Sequence, residues 1–321
     1  MSTEPAATAR RRPAWIDLPT SVRTAIEDRL GDVVVAADSR DGGYSQGLAS
    51  VLSTAGGDRV FVKAVGSEYE FTQRMYREEA RRCALLPPGA PAPALRWSMR
   101  LEGDDGTWEA LAFDAGAGRN PVIPWRTDEF AAVTRLCDQL AEVEIAAGTL
   151  PEYADEAIAG FWVQAAAGGG SVLGAFDPWV AANLALLGAL DAHVADAVRG
   201  TSLVHADLRS DNILLDPTVP GFAPVAVDWP SAARGAAFVN HVMMLPTVTL
   251  EGGPEPEEAL STHPLPRGTD PDAVTAFLAG LTGYFVYWSL QPPPPGIPHI
   301  RAFQRAKAEI CIPWLRERLR A

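Results

Sequence analysis

The stretch Leu203-Val204-His205-Ala206-Asp207-Leu208-Arg209-Ser210-Asp211-Asn212-Ile213-Leu214-Leu215, followed shortly by Pro224-Val225-Ala226-Val227-Asp228-Trp229, decides how the chain is read. Its apolar ends and polar middle spell a short strand, a loop, a second strand, a turn at Pro217–Gly221 and a third strand closing on Asp228. A loop tied at both ends to buried strands holds its polar side chains still, which a reactive site requires. Within it stand His205, Asp207 and Asn212, spaced His-x-Asp-x-x-x-x-Asn. Five His, 21 Asp and four Asn among 321 residues would produce that spacing by accident about 0.004 times.

Outward from this stretch, the chain beyond about residue 119 is mostly helical in pattern. Candidate helices cover 128–147, 178–199, 271–290 and 300–319. Two of them open with Asp177-Pro178 and Asp270-Pro271, an N-cap followed by Pro at the first helical position. Residues 251–268 read as a loop whose acids, Glu251, Glu255, Glu257 and Glu258, are either solvated or able to attract an amine. Phe277, Tyr284, Phe285 and Trp288 recur near helical spacing and read as core, with a ring or two available to line a cleft.

Toward the N-terminus, residues 1–14 read as a mobile tail and 16–30 as an amphipathic helix stopped by Gly31. Strand patterns follow at 33–36, 48–53, 59–65, 94–101 and 107–113, with Gly56-Gly57-Asp58 as a hairpin turn. The period of two puts Phe61, Lys63 and Val65 on one strand face. Along a helix at 69–86, Phe71, Met75, Glu79 and Cys83 recur every four residues, which places Glu79 inside the apolar stripe. Asp114-Ala115-Gly116-Ala117-Gly118 breaks the pattern. The expectation is an α+β chain with a strand-rich lobe at 15–115 and a larger helical lobe at 116–321.

Composition sets bounds on partners. Hydrophobic residues at 47% and charged residues at 21% describe a globular protein with a sizeable core. The net charge of −13 argues against duplex nucleic acid, which is gripped through basic patches, and suits a cationic small molecule. No apolar run is long enough to span a membrane. Arg10-Arg11-Arg12 is followed by Pro13, Trp15 and Asp17 where a signal sequence would turn apolar, so a cytoplasmic location is expected. Cys83, Cys137 and Cys311 have neither disulfide nor metal-ligand spacing.

The spacing of His205, Asp207 and Asn212 is that of a protein-kinase catalytic loop. Phosphoryl transfer needs the attacking hydroxyl oriented and its proton accepted, and an Asp carboxylate does both. It also needs Mg²⁺ on the phosphates, a cation that takes hard oxygen ligands. Asp207 is therefore the candidate base, and Asn212 and Asp228 are the candidate metal ligands.

The His-x-Asp loop ending in Asn, together with Val-Asp228-Trp229, resembles the aminoglycoside phosphotransferases and their relatives, whose fold is protein-kinase-like. The resemblance implies a two-lobed fold, ATP or GTP as donor with Mg²⁺, and a hydroxyl acceptor of the aminoglycoside-antibiotic kind. It makes Val62-Lys63 similar to the nucleotide-phosphate lysine and Glu79 to its ion-pair partner. Gly42-Gly43-Tyr44-Ser45-Gln46-Gly47 resembles the nucleotide-positioning loop, with Ser45 a phosphate donor. Ala112–Gly116, including Phe113, falls where the family's adenine hinge lies. Two features depart from the family pattern. Asn240 stands where the family has an Asp that braces the catalytic loop, which implies a weaker acceptor, and the nucleotide loop is not a full Gly-x-Gly-x-x-Gly. A kinase for another small alcohol (a macrolide, a choline-like compound, homoserine or a sugar) and a non-catalytic nucleotide binder are the alternatives. No Ala-Pro-Glu triplet follows Asp228, which disfavours a protein kinase.

Overall fold

The computed structural model describes residues 12–40, 46–103, 106–156, 158–167, 173–174, 176–294, 297 and 299–320. The chain divides into two compact units. The first runs to Leu86 and adds Pro93–Ala117 and Asp228–Pro230, and the second holds the rest.

The first unit is built on helix α1 (Thr20–Leu30), strands β1 (Val34–Ser39), β2 (Leu48–Thr54) and β3 (Arg59–Gly66), helix α2 (Glu70–Cys83), and strands β4 (Leu95–Gly103) and β5 (Gly106–Asp114). The strands form one antiparallel sheet in the order β1-β2-β3-β5-β4. Helix α1 starts later than its periodicity predicts. Pro19 holds Leu18 extended, so Ile16 is left outside the helix and exposed. Gly31 closes the helix in the left-handed conformation, φ 75°, with its N–H on Glu27 O.

One face of the sheet carries Val60, Val62, Ala64, Ala110 and Ala112 and packs with Leu18, Val22 and Ile26. Each fully buried valine, leucine or isoleucine among these contributes about 1.5–3 kcal/mol, and each alanine less. Alternation then puts Lys63 and Phe113 on the other face. The buried side of α2 is Thr72, Gln73, Tyr76, Glu79, Arg82 and Cys83, not the four-residue series read from the sequence. Glu79 lies inward as expected, whereas Phe71 is exposed. A strict spacing of four drifts around a helix of 3.6 residues per turn, and the true stripe mixes threes and fours.

The second unit holds α3 (Thr127–Glu142), the short helices α4 (Tyr153–Glu156), α5 (Phe161–Ala167), α6 (Pro178–Ala182), α7 (Leu184–Asp191) and α8 (Val194–Ala197), and strands β6 (Ser202–Val204), β7 (Ile213–Leu214), β8 (Val225–Ala226) and β9 (Ala233–Gly235). Helices α9 (Val239–Leu250), α10 (Pro256–Thr262), α11 (Pro271–Ser289) and α12 (Ile300–Arg318) complete it. Helix α11 packs along α12 and against α5, α7 and α8. A Cβ at Gly283 would lie 2.8 Å from the Trp162 indole nitrogen, so glycine permits the close approach of α11 to α5.

Asp177 and Asp270 cap α6 and α11 as their Asp-Pro openings predict. The single helix expected over 178–199 is instead three. The Asn183 amide donates to Trp179 O at 2.8 Å, a local bond that competes with helix continuation. Helix α3 stops at Glu142 because Val143 and Ile145 bond to Leu203 and Thr201 beside β6. The expected loop at 251–268 contains α10, started by Pro256 at its first turn. Among the described residues no helix is long and apolar enough to cross a membrane.

Candidate functional site

Lys63, on β3, is 7% exposed and meets Glu79 of α2 through both carboxylate oxygens, at 2.8 and 2.7 Å. Asp228 belongs to the same compact unit and accepts from the Lys63 ammonium at 2.6 Å. Burial works against the Lys63 charge, yet the Asp228 and Glu79 carboxylates outweigh it and raise its pKa. Burial also pushes the Glu79 carboxyl up, against the pull of Lys63 and of the Trp229 backbone N–H that it accepts. With both oxygens on an ammonium, the charged pair is the state that the geometry favours. Trp229 is buried, and Asp228 is held in the left-handed region at φ 70°. An Asp there costs about 1–3 kcal/mol, and such strain gathers at functional sites. Phe113 lies inside the ladder opposite Phe61 and Leu95, with its ring 5.9 Å from the Lys63 ammonium.

The second unit carries the loop between β6 and β7. His205 is fully buried, and its ring contacts Val227 O at 3.0 Å and the Asp207 backbone N–H at 3.3 Å. It thus ties the loop to the β8 side. Ala206, at φ 65°, turns the chain so that Asp207 follows a left-handed residue. Asn240, at the start of α9, accepts from the His205 backbone N–H at 2.9 Å and donates to Leu203 O at 2.9 Å. The expected weakness of Asn at this place is answered by its second bond: a carboxylate would accept the first and repel the carbonyl. Asn212 donates to Asp207 O at 2.8 Å and approaches the Asp207 carboxylate at 3.4 Å. This leaves the amide oxygen of Asn212 without a hydrogen bond to any described residue. Asp207 and Asn212 are therefore brought together, as their spacing predicts.

Residues that the sequence reading missed brace this loop. The Asn120 amide donates to Ser210 O, Asp211 O and Ile213 O at 3.2, 3.1 and 2.9 Å. Ser210 donates to Glu251 at 2.6 Å, and the Trp125 indole donates to the other Glu251 oxygen at 3.0 Å. Glu251 is thus a structural acceptor, and Glu257 is likewise taken by Trp314 and Arg318. The acids of 251–268 are not a simple solvated loop. Nothing in the local sequence announces Asn120, because its partners lie far along the chain.

Asp207 lines a cavity of about 220 Å³ together with Glu156, Arg209, Tyr284, Phe285 and Lys307. The Asp207 side chain is 47% exposed and lies 3.6 Å from Arg209, which is held by both oxygens of Asp211 at 3.0 Å. Of the four aromatic residues read as core, Phe277 is fully buried, while Tyr284 and Phe285 line the cavity. Ser45 lies outside the described residues. Gln46, beside it, accepts from the Thr72 hydroxyl at 2.7 Å. Among the described residues no three His, Cys, Asp or Glu side chains gather as a metal cage.

No family model and no curated protein matches the sequence. Solved structures do match the fold. Spectinomycin phosphotransferase in complex with ADP and spectinomycin is 11% identical, with a TM-score of 0.56 over 94% of this chain and 98% of that one. A thermostable mutant of an aminoglycoside phosphotransferase, in a ternary complex with AMP-PNP and hygromycin B, is 15% identical, with a TM-score of 0.55 over 93% and 98%. A putative fructosamine-3-kinase from Thermobifida fusca is 19% identical, with a TM-score of 0.53 over 95% and 100%. The chain has the kinase-like fold of these phosphotransferases.

Proposed function

We propose that the chain is a small-molecule kinase that moves the γ-phosphoryl group of ATP (or GTP) to an alcohol. The observation that carries this reading is Asp207: its carboxylate lines a cavity, on a loop whose backbone is bonded by His205, Asn212 and Asn240. Structures of the same fold hold ADP with spectinomycin and AMP-PNP with hygromycin B.

In the reaction the acceptor oxygen forms a bond to the γ-phosphorus as the bond from that phosphorus to the β–γ bridging oxygen breaks. The hydroxyl proton passes to Asp207, and the nucleoside diphosphate leaves. Lys63 donates to nucleotide phosphate oxygens, and Glu79 keeps it charged and aimed. Ser45 adds a phosphate donor. Phe113 belongs to the base-binding end of β5, whose backbone leaves the ladder only after Asp114. The resemblance would make Asp228, with its carboxylate, and Asn212, with its amide oxygen, ligands of Mg²⁺; both offer hard oxygens, and the Asn212 oxygen has no competing bond among the described residues. When bound, Mg²⁺ would neutralise charge on the phosphates. We take 15–115 as the nucleotide lobe and 116–321 as the acceptor lobe; the compact units differ from these at residues 87–92, 116–117 and 228–230.

The aminoglycoside-like, cationic acceptor implied by the resemblance is supported by two neighbours of this fold and by the net charge of −13. The cavity wall carries both signs of charge, Asp207 and Glu156 against Lys307 and Arg209, and Arg209 is already held by Asp211. The test of the kinase reading is Asp207→Ala. It should lower phosphate transfer about 10²- to 10⁴-fold while Mg-ATP binding by calorimetry persists. Undiminished turnover by the variant removes Asp207 as the base.

A further inference from the structure

The cavity around Asp207 contains a charged side chain that the reaction above does not use. Lys307, on α12, is 6% exposed and lines the same cavity of about 220 Å³. Among the described residues it makes no hydrogen bond or ion pair. Its ammonium stands 4.4 Å from the Phe303 ring centre and 5.1 Å from that of Phe285. Rings stabilise a cation through their quadrupoles but carry no opposite charge. Asp211 is engaged by both arms of Arg209. Burial, then Arg209, pull the Lys307 ammonium down to about 8, against the attraction of Asp207 and Asp211. A methionine would fill the same space at lower cost. A buried ammonium in the wall of a cavity, without a bonded partner among the described residues, is placed to meet an anionic oxygen that arrives with a ligand.

Resting on the kinase reading, we propose that the acceptor is a small alcohol bearing a carboxylate, which Lys307 binds while its hydroxyl is presented to Asp207. One ammonium matches the single charge of a carboxylate better than the near-double charge of a phosphate monoester. The cavity is smaller than the ~300–1,000 Å³ of drug-sized pockets, which suits a compact hydroxy acid better than a multi-ring amino sugar. Tyr284 and Phe285 supply an apolar wall for a short carbon body.

The experiment measures transfer of labelled phosphate by the full chain with Mg-ATP. One arm holds glycerate, 3-hydroxybutyrate and serine, a second their methyl esters, a third choline and kanamycin, and a fourth glycerol 3-phosphate. The hydroxy acids should be preferred over their esters. Lys307→Met should raise KM for the acids about 100-fold, with Lys307→Arg recovering part of it and KM for ATP unchanged in both. Preference for choline, kanamycin or glycerol 3-phosphate, or an acid KM within twofold in Lys307→Met, overturns the carboxylate assignment and leaves the kinase reading standing. Where no alcohol turns over, calorimetry separates the two. Heat with Mg-ATP but none with the hydroxy acids overturns the acceptor alone, and no heat with Mg-ATP overturns the kinase reading and the acceptor with it.

Discussion

Two buried lysines, one in each compact unit, make an instructive pair. Lys63 is 7% exposed and Lys307 is 6% exposed, so both lose nearly all their water. Lys63 has two carboxylates within 2.8 Å and is held charged, its pKa raised. Lys307 has two aromatic rings nearby and no bonded carboxylate among the described residues, so burial and the Arg209 guanidinium bring its pKa down to about 8 against the weaker attraction of Asp207 and Asp211. Burial does not by itself decide whether a lysine is charged; the partners that burial leaves it do. Lys63 is a finished ion-pair cluster that needs no ligand to be stable. Lys307 is unfinished and stabilises the chain only when something anionic fills the cavity.

The largest break in this comparison is Glu79→Ala. It leaves Lys63 buried with Asp228 alone, and urea unfolding should show a loss of about 3–5 kcal/mol. Next comes Lys307→Met, with the opposite sign. A lysine whose folded pKa is below its unfolded value of 10.5 costs stability while it stays charged, and that cost fades as pH rises from about 8 to about 10.5. The variant should therefore be more stable than the parent by about 3 kcal/mol at pH 7. The advantage should shrink across that window, as followed by unfolding curves at a series of pH values. A variant that is less stable at pH 7 would show that Lys307 already has a partner.

Asn240→Asp extends the contrast to a buried amide. It replaces the donor to Leu203 O with a carboxylate oxygen, and denaturant midpoints should fall by an equivalent of about 1–3 kcal/mol. The smallest effect is expected from Phe303→Leu, which removes the ring nearest the Lys307 ammonium. The pKa of Lys307, read by nitrogen NMR, should drop further, by the equivalent of about 1 kcal/mol.

Much of the first unit and the loop after β6 was legible in the sequence because both rest on local rules. Strand alternation put Lys63 on one face with Phe61 and Val65, and helical periodicity turned Glu79 inward although it named the wrong stripe. The spacing of Asp207 and Asn212 is short enough for a loop to bring them together. Legibility ended where an element depends on distant partners. The helix over 178–199 breaks at Asn183 for a side-chain bond. Helix α3 ends early because Val143 and Ile145 find partners beside β6. The acids at 251–268 read as solvent-facing, yet Glu251 is engaged by Ser210 and Trp125, far away along the chain. Asn120 and Lys307 carried no local signal, since an isolated Asn or Lys in a sequence is uninformative.

What the amino-acid order determined alone was the strands of the sheet, several of the helices and the pairing of Asp207 with Asn212 in one loop, because periods of two and 3.6 and a fixed spacing act over a few residues. Only the tertiary structure decided which buried charges are satisfied. That depends on which side chains from remote segments arrive within about 3 Å of one another: two carboxylates reach Lys63, and none is bonded to Lys307 among the described residues.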